Sequence, residues 1–302
     1  MDFTKLIRFL TNPTWAISVC LVRYPFLMRN DEQYIKWDFY HAMRKWPNLS
    51  PQKGKMSFNE KLCWLKIHTN NSILTDLVDK NIVKKWVVDN FPEIKVIHTL
   101  GVWDNFGDID FEKLPKKFVL KCTHDSGGVV ICKNIDTFDK DKAKKRLEHN
   151  LQKNFFWQHR EYPYKNVKPR IIAEEFMVDE SGSDLKDYKF FCFNGMPKML
   201  QVATDREHGV HFDFYDMNFK HLPFTKGHTW AKKEITKPIH FEKMVSFASQ
   251  MSKMFPFVRV DFYNINGEIY FGELTFFPGG GVSPFKPNEW DYIIGEWLQL
   301  PI

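Results

Sequence analysis

Phe257-Val-Arg-Val-Asp-Phe262, Asn266-Gly267 and Ile269-Tyr-Phe-Gly-Glu-Leu-Thr275 make up the stretch that decides the fold of this chain. Two apolar runs rich in β-forming residues flank an Asn-Gly pair, and this pattern predicts a β-hairpin. Each run carries one acidic residue, Asp261 or Glu273. Because successive side chains of a strand point to opposite faces, the register of the hairpin decides whether the two carboxylates meet.

The length of the connection sets that register. A strict two-residue turn would pair Asp261 with Gly272 and turn Glu273 to the other face. A three-residue connection over 266–268, with Gly267 at the φ > 0 position of a bulge, places the two carboxylates directly opposite each other. Opposed carboxylates repel unless a cation lies between them. We therefore predict the bulged hairpin and a Mg²⁺ site.

An acidic pair on a solvated face of the hairpin is the alternative interpretation, because antiparallel sheets commonly have one wet face. Two features favour the metal site. The residues around the pair are apolar, and Pro278-Gly-Gly-Gly281 follows the second run. A loop that exposes backbone amides in this way suits an anionic ligand.

The composition is that of an ordinary soluble globular protein, with 302 residues, 43% hydrophobic and 26% charged. This length predicts two or more subdomains. The net charge of +6 suits an anionic partner, such as a nucleotide, an acidic glycan or an anionic membrane face. Lysine and arginine are spread along the chain rather than clustered, which argues against nucleic acid as the partner.

Two features bear on location. The cysteines show no CxxC or Cys/His ligand spacing, and their odd number and apolar surroundings predict reduced thiols in the cytoplasm and no zinc site. They are Cys20, Cys63, Cys122, Cys132 and Cys192. The apolar run 15–22 is too short to span a bilayer, and no signal-peptide cleavage site follows it. Residues 1–30 are therefore expected either to pack on the protein body or to lie on an anionic membrane surface.

Periodicity and turn signals predict an α+β chain with mostly antiparallel strands. Helices are expected in the first 50 residues and at 61–68, 71–90, 139–154, 242–254 and 288–298. Strands besides the hairpin are expected at 118–122, 129–133, 170–177, 187–193, 198–202 and 212–215. The aromatic run 155–164 is interpreted as packing between subdomains, with stacking on a sugar as the alternative.

Two lysines lie within apolar strands, Lys121 before the loop 123–128 and Lys189 within a Tyr-Lys-Phe-Phe run. Lysine is seldom buried without a partner, so each predicts an anion that its tip reaches. The loop is not a Walker A sequence, since a strand rather than a helix follows it. An edge lysine beside an ordinary Gly-Gly turn is the alternative. Two such lysines with a carboxylate pair match the needs of a nucleoside triphosphate with Mg²⁺.

Taken in order, the motifs resemble the ATP-grasp superfamily, and within it the TupA-like ATP-grasp proteins of bacterial surface-polysaccharide and teichuronopeptide gene clusters. The resemblance runs from about residue 50 to the end of the chain. Its matching segments are Ser57-Phe-Asn-Glu-Lys-Leu62, Val78-Asp-Lys80, Leu114-Pro-Lys-Lys-Phe-Val-Leu-Lys121, Ile172-Ala-Glu-Glu-Phe-Met177, Lys189-Phe-Phe-Cys-Phe-Asn-Gly195, Arg259-Val-Asp-Phe262 and Phe271-Gly-Glu-Leu-Thr-Phe276.

The resemblance implies an α+β ATP-grasp fold in which ATP lies between the antiparallel sheets of two α+β subdomains, preceded by a helical arm. It divides the chain into the N-terminal arm at 1–50, an N-terminal subdomain at 51–115 and two ATP-grasp subdomains. The central one, at 116–178, contains the flap and hinge, and the C-terminal one, at 179–302, contains the metal site.

The resemblance also implies site roles. Lys121 and Lys189 would bind phosphates, and Arg259 would stabilise the transferring phosphoryl group or the acyl intermediate. The other implied nucleotide contacts are Lys80, the flap residues Asp125, Ser126, Gly127 and Gly128, and the adenine-hinge residues Glu174, Glu175, Phe176 and Met177. The implied Mg²⁺ ligands are Asp261, Glu273 and Thr275, the last where many ATP-grasp enzymes have Asn. The residues expected to hold an anionic substrate are Arg206, Gly279 and Gly280.

The implied activity joins a carboxylate to an amine through an acyl phosphate, in the biosynthesis of a bacterial capsule, O-antigen or teichuronopeptide-like polymer. The expected location is the cytoplasm, with the inner face of the membrane as the alternative. The expected substrates are a uronic-acid-containing glycan or sugar precursor and an amino acid or peptide. Such chemistry needs positioning and charge neutralisation rather than a nucleophilic side chain. Two alternatives stay open: a kinase that uses the same ATP site on a glycan hydroxyl, and a non-catalytic binding protein.

Overall fold

The computed structural model describes residues 11–179, 185–205 and 209–302. The helices in those residues are α1 (Pro13–Arg23), α2 (Asp31–Met43), α3 (Phe58–His68), α4 (Ile73–Val78), α5 (Ile82–Asn90), α6 (Lys140–Leu151), α7 (Phe156–His159), α8 (Phe241–Ser252) and α9 (Glu289–Trp297). The strands are β1 (Lys95–Val96), β2 (Thr99–Trp103), β3 (Phe118–Cys122), β4 (Val129–Cys132), β5 (Ile171–Glu175), β6 (Asp187–Phe193), β7 (Met196–Thr204), β8 (His211–Tyr215), β9 (Thr225–Lys226), β10 (Phe257–Ile265), β11 (Glu268–Thr275) and β12 (Phe285–Lys286). The predicted helices and strands are confirmed, with ends that differ by a few residues.

The strands form two main sheets. One has six strands in the order β1-β11-β10-β6-β7-β8, and the other has four in the order β2-β5-β3-β4. A small third sheet pairs β9 with β12. The pair β1–β11 is parallel, and the other neighbours in these sheets are antiparallel. The predicted α+β fold with mostly antiparallel strands is confirmed.

Each main sheet has its own hydrophobic core. The six-stranded sheet packs against α3 and α8, with Phe58 and Ala248 among the fully buried residues. The four-stranded sheet packs against α6, where Leu147 contacts the same core as Leu120. Because each sheet buries its apolar side chains in a separate core, polar side chains of both sheets are available to line a cleft between them. The domain boundaries predicted after residues 50, 115 and 178 stay predictions.

The β10–β11 hairpin has a different turn from the one predicted. Ile265 pairs with Glu268, so the connection is the two-residue turn Asn266-Gly267. Both turn residues have positive φ, 53° and 84°, as a type I′ turn requires. The predicted bulge at Gly267 is therefore wrong.

The predicted pairing of the two carboxylates is nevertheless confirmed, because the register shifts farther along the hairpin. Phe262 pairs with Phe271, whereas Asp261 pairs with Glu273, so Gly272 is the extra residue of a β-bulge. A Cβ atom at Gly272 would lie 3.0 Å from the backbone oxygen of Asp261. This close approach favours glycine at the bulge, and the bulge places both acids on one face.

The N-terminal arm packs on the protein body through one buried arginine. The Arg160 side chain is fully buried, lies 2.8 Å from Asp31 and donates hydrogen bonds of 2.8 Å to the carbonyls of Pro25 and Met28. Its guanidinium also lies 4.2 Å from the centre of the Tyr34 ring. The packing expected of the arm is thus confirmed for α2 and for the segment 25–28 before it. Among the described helices, none is long and apolar enough to cross a membrane.

Candidate functional site

A cavity of about 570 Å³ lies between the two main sheets. This volume is typical of small-molecule sites. Lys121 and Glu174 line it from the four-stranded sheet, and Lys189, Arg259 and Glu273 line it from the six-stranded sheet. The two lysines predicted from separate sheets therefore reach one cleft.

On the four-stranded side, Glu174 is held between two lysines. Its carboxylate lies 2.5 Å from Lys121 and also forms an ion pair with Lys84 of α5. Burial opposes ionisation, but the charges of Lys121 and Lys84 outweigh it and lower the pKa of Glu174 to about 2. Glu174 is therefore a fixed anion that holds the Lys121 ammonium group at the cavity.

The adenine hinge was predicted at residues 174–177, which include Glu174. Within the described part of the chain, Glu174 lines the cavity, but Glu175, Phe176 and Met177 do not. Strand β5 ends at Glu175, whose side chain is exposed because it lies on the opposite face from Glu174. The hinge role of these residues stays a prediction.

The predicted flap follows β3. Its Asp125, Ser126 and Gly127 line the cavity, and the Lys80 ammonium donates to the backbone carbonyl of Asp125. Gly128 is not among the lining residues in the described chain. A Cβ atom there would lie 2.6 Å from the Asp125 carboxylate. Gly128 therefore makes room for that carboxylate, whose Oδ2 is buried without a hydrogen bond in the described structure.

On the six-stranded side, Arg259 bridges the two acids of the hairpin. Its guanidinium donates two hydrogen bonds of 2.7 Å to Asp261 and one of 2.6 Å to Glu273. Lys189 also pairs with Asp261 and lies 3.4 Å from Asp187. Although burial opposes ionisation, the charges of Lys189 and Arg259 lower the pKa of Glu273 to about 2. Four of the predicted catalytic and metal residues thus form one network of charges: Lys189, Arg259, Asp261 and Glu273.

The oxygen atoms of this network fit a magnesium ion. Asp261 is 1% exposed, whereas the Glu273 side chain is 42% exposed and faces the cavity. Oε1 of Glu273 accepts from Arg259 and, at 3.2 Å, from Thr275, so Thr275 orients this carboxylate. Hard carboxylate oxygens suit Mg²⁺, which keeps several waters and takes phosphate oxygens as further ligands. The described residues contain no group of three or more acidic, His or Cys side chains placed to hold a metal ion, and the magnesium site at Asp261, Glu273 and Thr275 stays a prediction.

The glycine-rich loop after β11 follows an unusual backbone path. Gly279 and Gly280 both have φ of 63°, in the left-handed region. A Cβ atom on Gly280 would lie 2.4 Å from the His159 ring, and the Gly280 carbonyl accepts a 2.7 Å hydrogen bond from Lys66. Gly279 lines the cavity, as expected of a substrate contact. Arg206, the other predicted substrate residue, lies outside the described residues.

Lys226 of β9, which no sequence pattern predicted, also lines the cavity. Its side chain is 6% exposed and forms no hydrogen bond or ion pair within the described residues. Its ammonium lies 4.9 Å from the centre of the Phe285 ring. Burial, reinforced by the charge of Arg259 and opposed by that of Asp291, lowers the pKa of Lys226 to about 8. No local signal marked this lysine, because its two-residue strand has no periodicity of its own.

A second cavity, of about 280 Å³, adjoins the same residues. Gly280, Thr275 and Glu161 line it, together with Phe155 and Tyr164 of the aromatic run. Phe156 of that run is buried, while the other two rings form a cavity wall; its role in packing between subdomains stays a prediction. Glu161 was also missed, because nothing in the sequence shows that it is buried.

The amino-acid sequence of this chain matches the pattern of one known protein family. The model of one protein family, described as TupA-like ATPgrasp, matches residues 60–299. No curated protein matches the chain. Among solved structures, the D-alanine-D-alanine ligase of Helicobacter pylori is 15% identical, with a TM-score of 0.38 over 74% of this chain and 61% of that one.

Two further solved structures are similar to a comparable degree. The ATP-grasp ligase PsnB, complexed with a phosphomimetic variant of its minimal precursor, Mg and ADP, is 9% identical, with a TM-score of 0.41 over 72% of this chain and 57% of that one. A RimK domain protein ATP-grasp from Sphaerobacter thermophilus is 11% identical, with a TM-score of 0.40 over 90% and 96%. The chain thus spans less than two thirds of the Helicobacter ligase and of PsnB.

Proposed function

The chain belongs to the TupA-like ATP-grasp family, and we propose that it is an ATP-dependent ligase that joins a carboxylate to an amine through an acyl phosphate. One observation carries the proposal. Lys121 and Lys189 come from different sheets and reach one cavity beside Glu273. Cations on two walls with a carboxylate on one of them match the charge pattern of a Mg²⁺-bound triphosphate.

The lysines would bind the phosphates without losing their present partners. An ammonium group has three donors. Glu174 takes one donor of Lys121, and the backbone carbonyl of Asp125 takes one donor of Lys80. The remaining donors are available to phosphate oxygens. The carboxylate partner of Lys121 thus fixes its position in advance, which lowers the entropy lost on binding.

Asp261 and Glu273 would hold the metal. In the structure, Arg259 bridges their two carboxylates. A bound Mg²⁺ neutralises phosphate charge and orients the transferred group. Once the carboxylates have a metal partner, the Arg259 guanidinium can donate to the oxygens that become negative during transfer. No nucleophilic side chain is required.

Lys226 is the proposed contact of the donor carboxylate. It lines the same cavity and lies next to Gly279, since a Cβ atom built on Gly279 would be 3.9 Å from the Lys226 ammonium nitrogen. A buried cation that lacks a protein anion gains most from an anionic ligand. A uronic acid supplies such a carboxylate, and the family resemblance supports a surface polysaccharide or its precursor as the donor.

We place this reaction at the inner face of the membrane, with the N-terminal arm as the contact. Phe26 and Leu27, which follow α1, are 63% and 61% exposed. Arg23 and Arg29 flank these apolar side chains. Exposed aromatic and aliphatic side chains between basic residues suit an anionic lipid surface.

The test is product analysis by mass spectrometry after incubation with ATP, Mg²⁺, mixed uronic acids and amino acids. A ligase yields an amide, ADP and inorganic phosphate, whereas a kinase yields a phosphorylated glycan. Glu273→Gln should abolish turnover. Glu268→Gln is the matched control, because Glu268 lies on the same strand but pairs with Lys95 at the surface, 3.0 Å away. Turnover that survives Glu273→Gln would remove the metal site from the proposal, and wild-type protein that binds ATP without products would be a binding protein.

A further inference from the structure

The second cavity shares part of its wall with the first. Both cavities are lined by Asp125, Ser126, Arg259, Glu273 and Gly279. A molecule in the smaller cavity therefore meets the residues proposed to hold the metal and the transferring phosphoryl group. At about 280 Å³, the smaller cavity is below the usual range for drug-sized ligands, so it would admit a substrate the size of an amino acid.

Glu161 gives this cavity a distinct chemistry. Its side chain is 4% exposed and forms no hydrogen bond or ion pair within the described residues. The nearby cations have other partners: Lys66 donates to the carbonyls of His159 and Gly280, at 2.8 and 2.7 Å, and Nδ1 of His159 lies 2.8 Å from Asp38. A buried carboxyl without a protein partner is costly unless a ligand satisfies it.

The remaining wall suits a cation. Asp125 lines the cavity and adds a second carboxyl side chain to its wall. Phe155 and Tyr164 contribute aromatic rings 4.9 Å apart. Carboxylates and ring faces together are the groups that bind an ammonium ion.

We propose that the second cavity is the acceptor site of the ligase and that Glu161 removes the proton from the amino group of the acceptor, a small primary amine of amino-acid type. This inference rests on the proposed ligase function. The amine nitrogen attacks the acyl carbon, so a C–N bond forms and the bond from carbon to the phosphate oxygen breaks. The acceptor binds as an ammonium ion and gives one proton to the Glu161 carboxylate, which frees the lone pair for the attack. Phosphate leaves with the electron pair of the broken bond and takes the second proton that nitrogen loses as the amide forms.

The electrostatic environment agrees with this role. Burial raises the pKa of Glu161 to about 7, partly offset by positive charges, and a base acts best when its pKa lies near the working pH. The charged or titratable groups that face it from the surrounding elements are His159 of α7, Lys66 of α3, Asp38 of α2, Arg259 of β10 and Tyr164. Amide formation should therefore decline as the pH falls below about 7.

The experiment separates acyl transfer from deprotonation. The intact protein is incubated with ATP, Mg²⁺ and mixed uronic acids, and the acyl group is captured either by hydroxylamine or by a mixture of the common amino acids. Hydroxylamine is already neutral at neutral pH and needs no base. Glu161→Gln should keep hydroxamate formation but lower amide formation by about 10²- to 10⁴-fold, the usual contribution of a general base. Glu161→Asp, which keeps the carboxylate, should recover part of the loss.

Each outcome bears on a different claim. A wild-type protein that forms no hydroxamate refutes the ligase function itself. Hydroxamate without any amide in the wild type overturns the amine site, and so does a Glu161→Gln variant with wild-type amide rates and the same acidic limb in its pH profile. Equal loss of both products in Glu161→Gln also overturns the inference, since it shows a structural role.

Discussion

Lys226→Met should stabilise the folded protein while weakening its function. The wild-type Lys226 side chain is 6% exposed and forms no ion pair within the described residues, so folding removes the ammonium from water with no paired anion to offset the cost. Methionine has a similar length and no charge. The substitution therefore removes a desolvation cost and keeps most of the packing against Phe285.

The size of the stabilisation by Lys226→Met follows from the shifted pKa of Lys226. Burial lowers the pKa of Lys226 from 10.5 to about 8. At about 1.4 kcal/mol for each pKa unit, this corresponds to about 3 kcal/mol of lost stability while the lysine is charged. Below pH 8 both folded and unfolded chains hold the proton and the full cost applies. Between about pH 8 and 10.5 the unfolded chain binds more protons than the folded one, so wild-type stability rises and the advantage of the variant shrinks.

The assay is urea unfolding of wild type and variant at pH 7 and pH 10, without nucleotide or metal. Lys286→Met is the matched control, because Lys286 lies on the same two-stranded sheet but is exposed; it should change stability little at either pH. In ligase assays, Lys226→Met should raise the KM for the carboxylate substrate. A variant that is less stable than wild type at pH 7, or a difference that does not shrink at pH 10, would refute the reasoning.

Three further changes test other parts of the structure. Arg259→Ala should lower the free energy of unfolding by about 1.5–3 kcal/mol, because the buried Asp261 carboxylate loses its bidentate partner but keeps Lys189; a loss below about 1 kcal/mol in urea unfolding would contradict this. Gly272→Ala should cost about 1–3 kcal/mol, since its Cβ would lie 3.0 Å from a backbone oxygen, and unchanged thermal stability would argue against the bulge. Phe26→Glu combined with Leu27→Glu should reduce co-sedimentation with anionic lipid vesicles, while equal binding by variant and wild type would exclude this contact.

The β10–β11 hairpin shows what a local sequence pattern can and cannot predict. Asn266-Gly267 predicted the turn, and the requirement that Asp261 and Glu273 meet predicted their pairing, which the structure confirms. The error lay in the position of the bulge. Asn-Gly at a two-residue turn closes without one, and the extra residue is Gly272, next to the acid itself. The sequence could not distinguish the two glycines, because either bulge produces the same pairing.

The site shows a different limit. Lys121 and Lys189 could be predicted because each interrupts an apolar strand. Lys226 and Glu161 lie in segments without periodicity, and their importance comes from burial by distant elements. The lysine pair around Glu174 was also beyond prediction, since Lys84 reaches Glu174 from a helix and lies ninety residues earlier in the chain. Burial and long-range ion pairs are properties of the folded chain.

The most direct test of the central claim follows an oxygen atom. A panel of uronic acids labelled with ¹⁸O in the carboxylate is incubated with the protein, ATP, Mg²⁺ and amino acids, and the inorganic phosphate is analysed by mass spectrometry. If the carboxylate attacks the γ-phosphate and is then displaced by the amine, one labelled oxygen should appear in the phosphate for each ADP and each amide formed. ATP turnover with unlabelled phosphate, or label retained in a phosphorylated glycan, would contradict the proposed acyl-phosphate ligase.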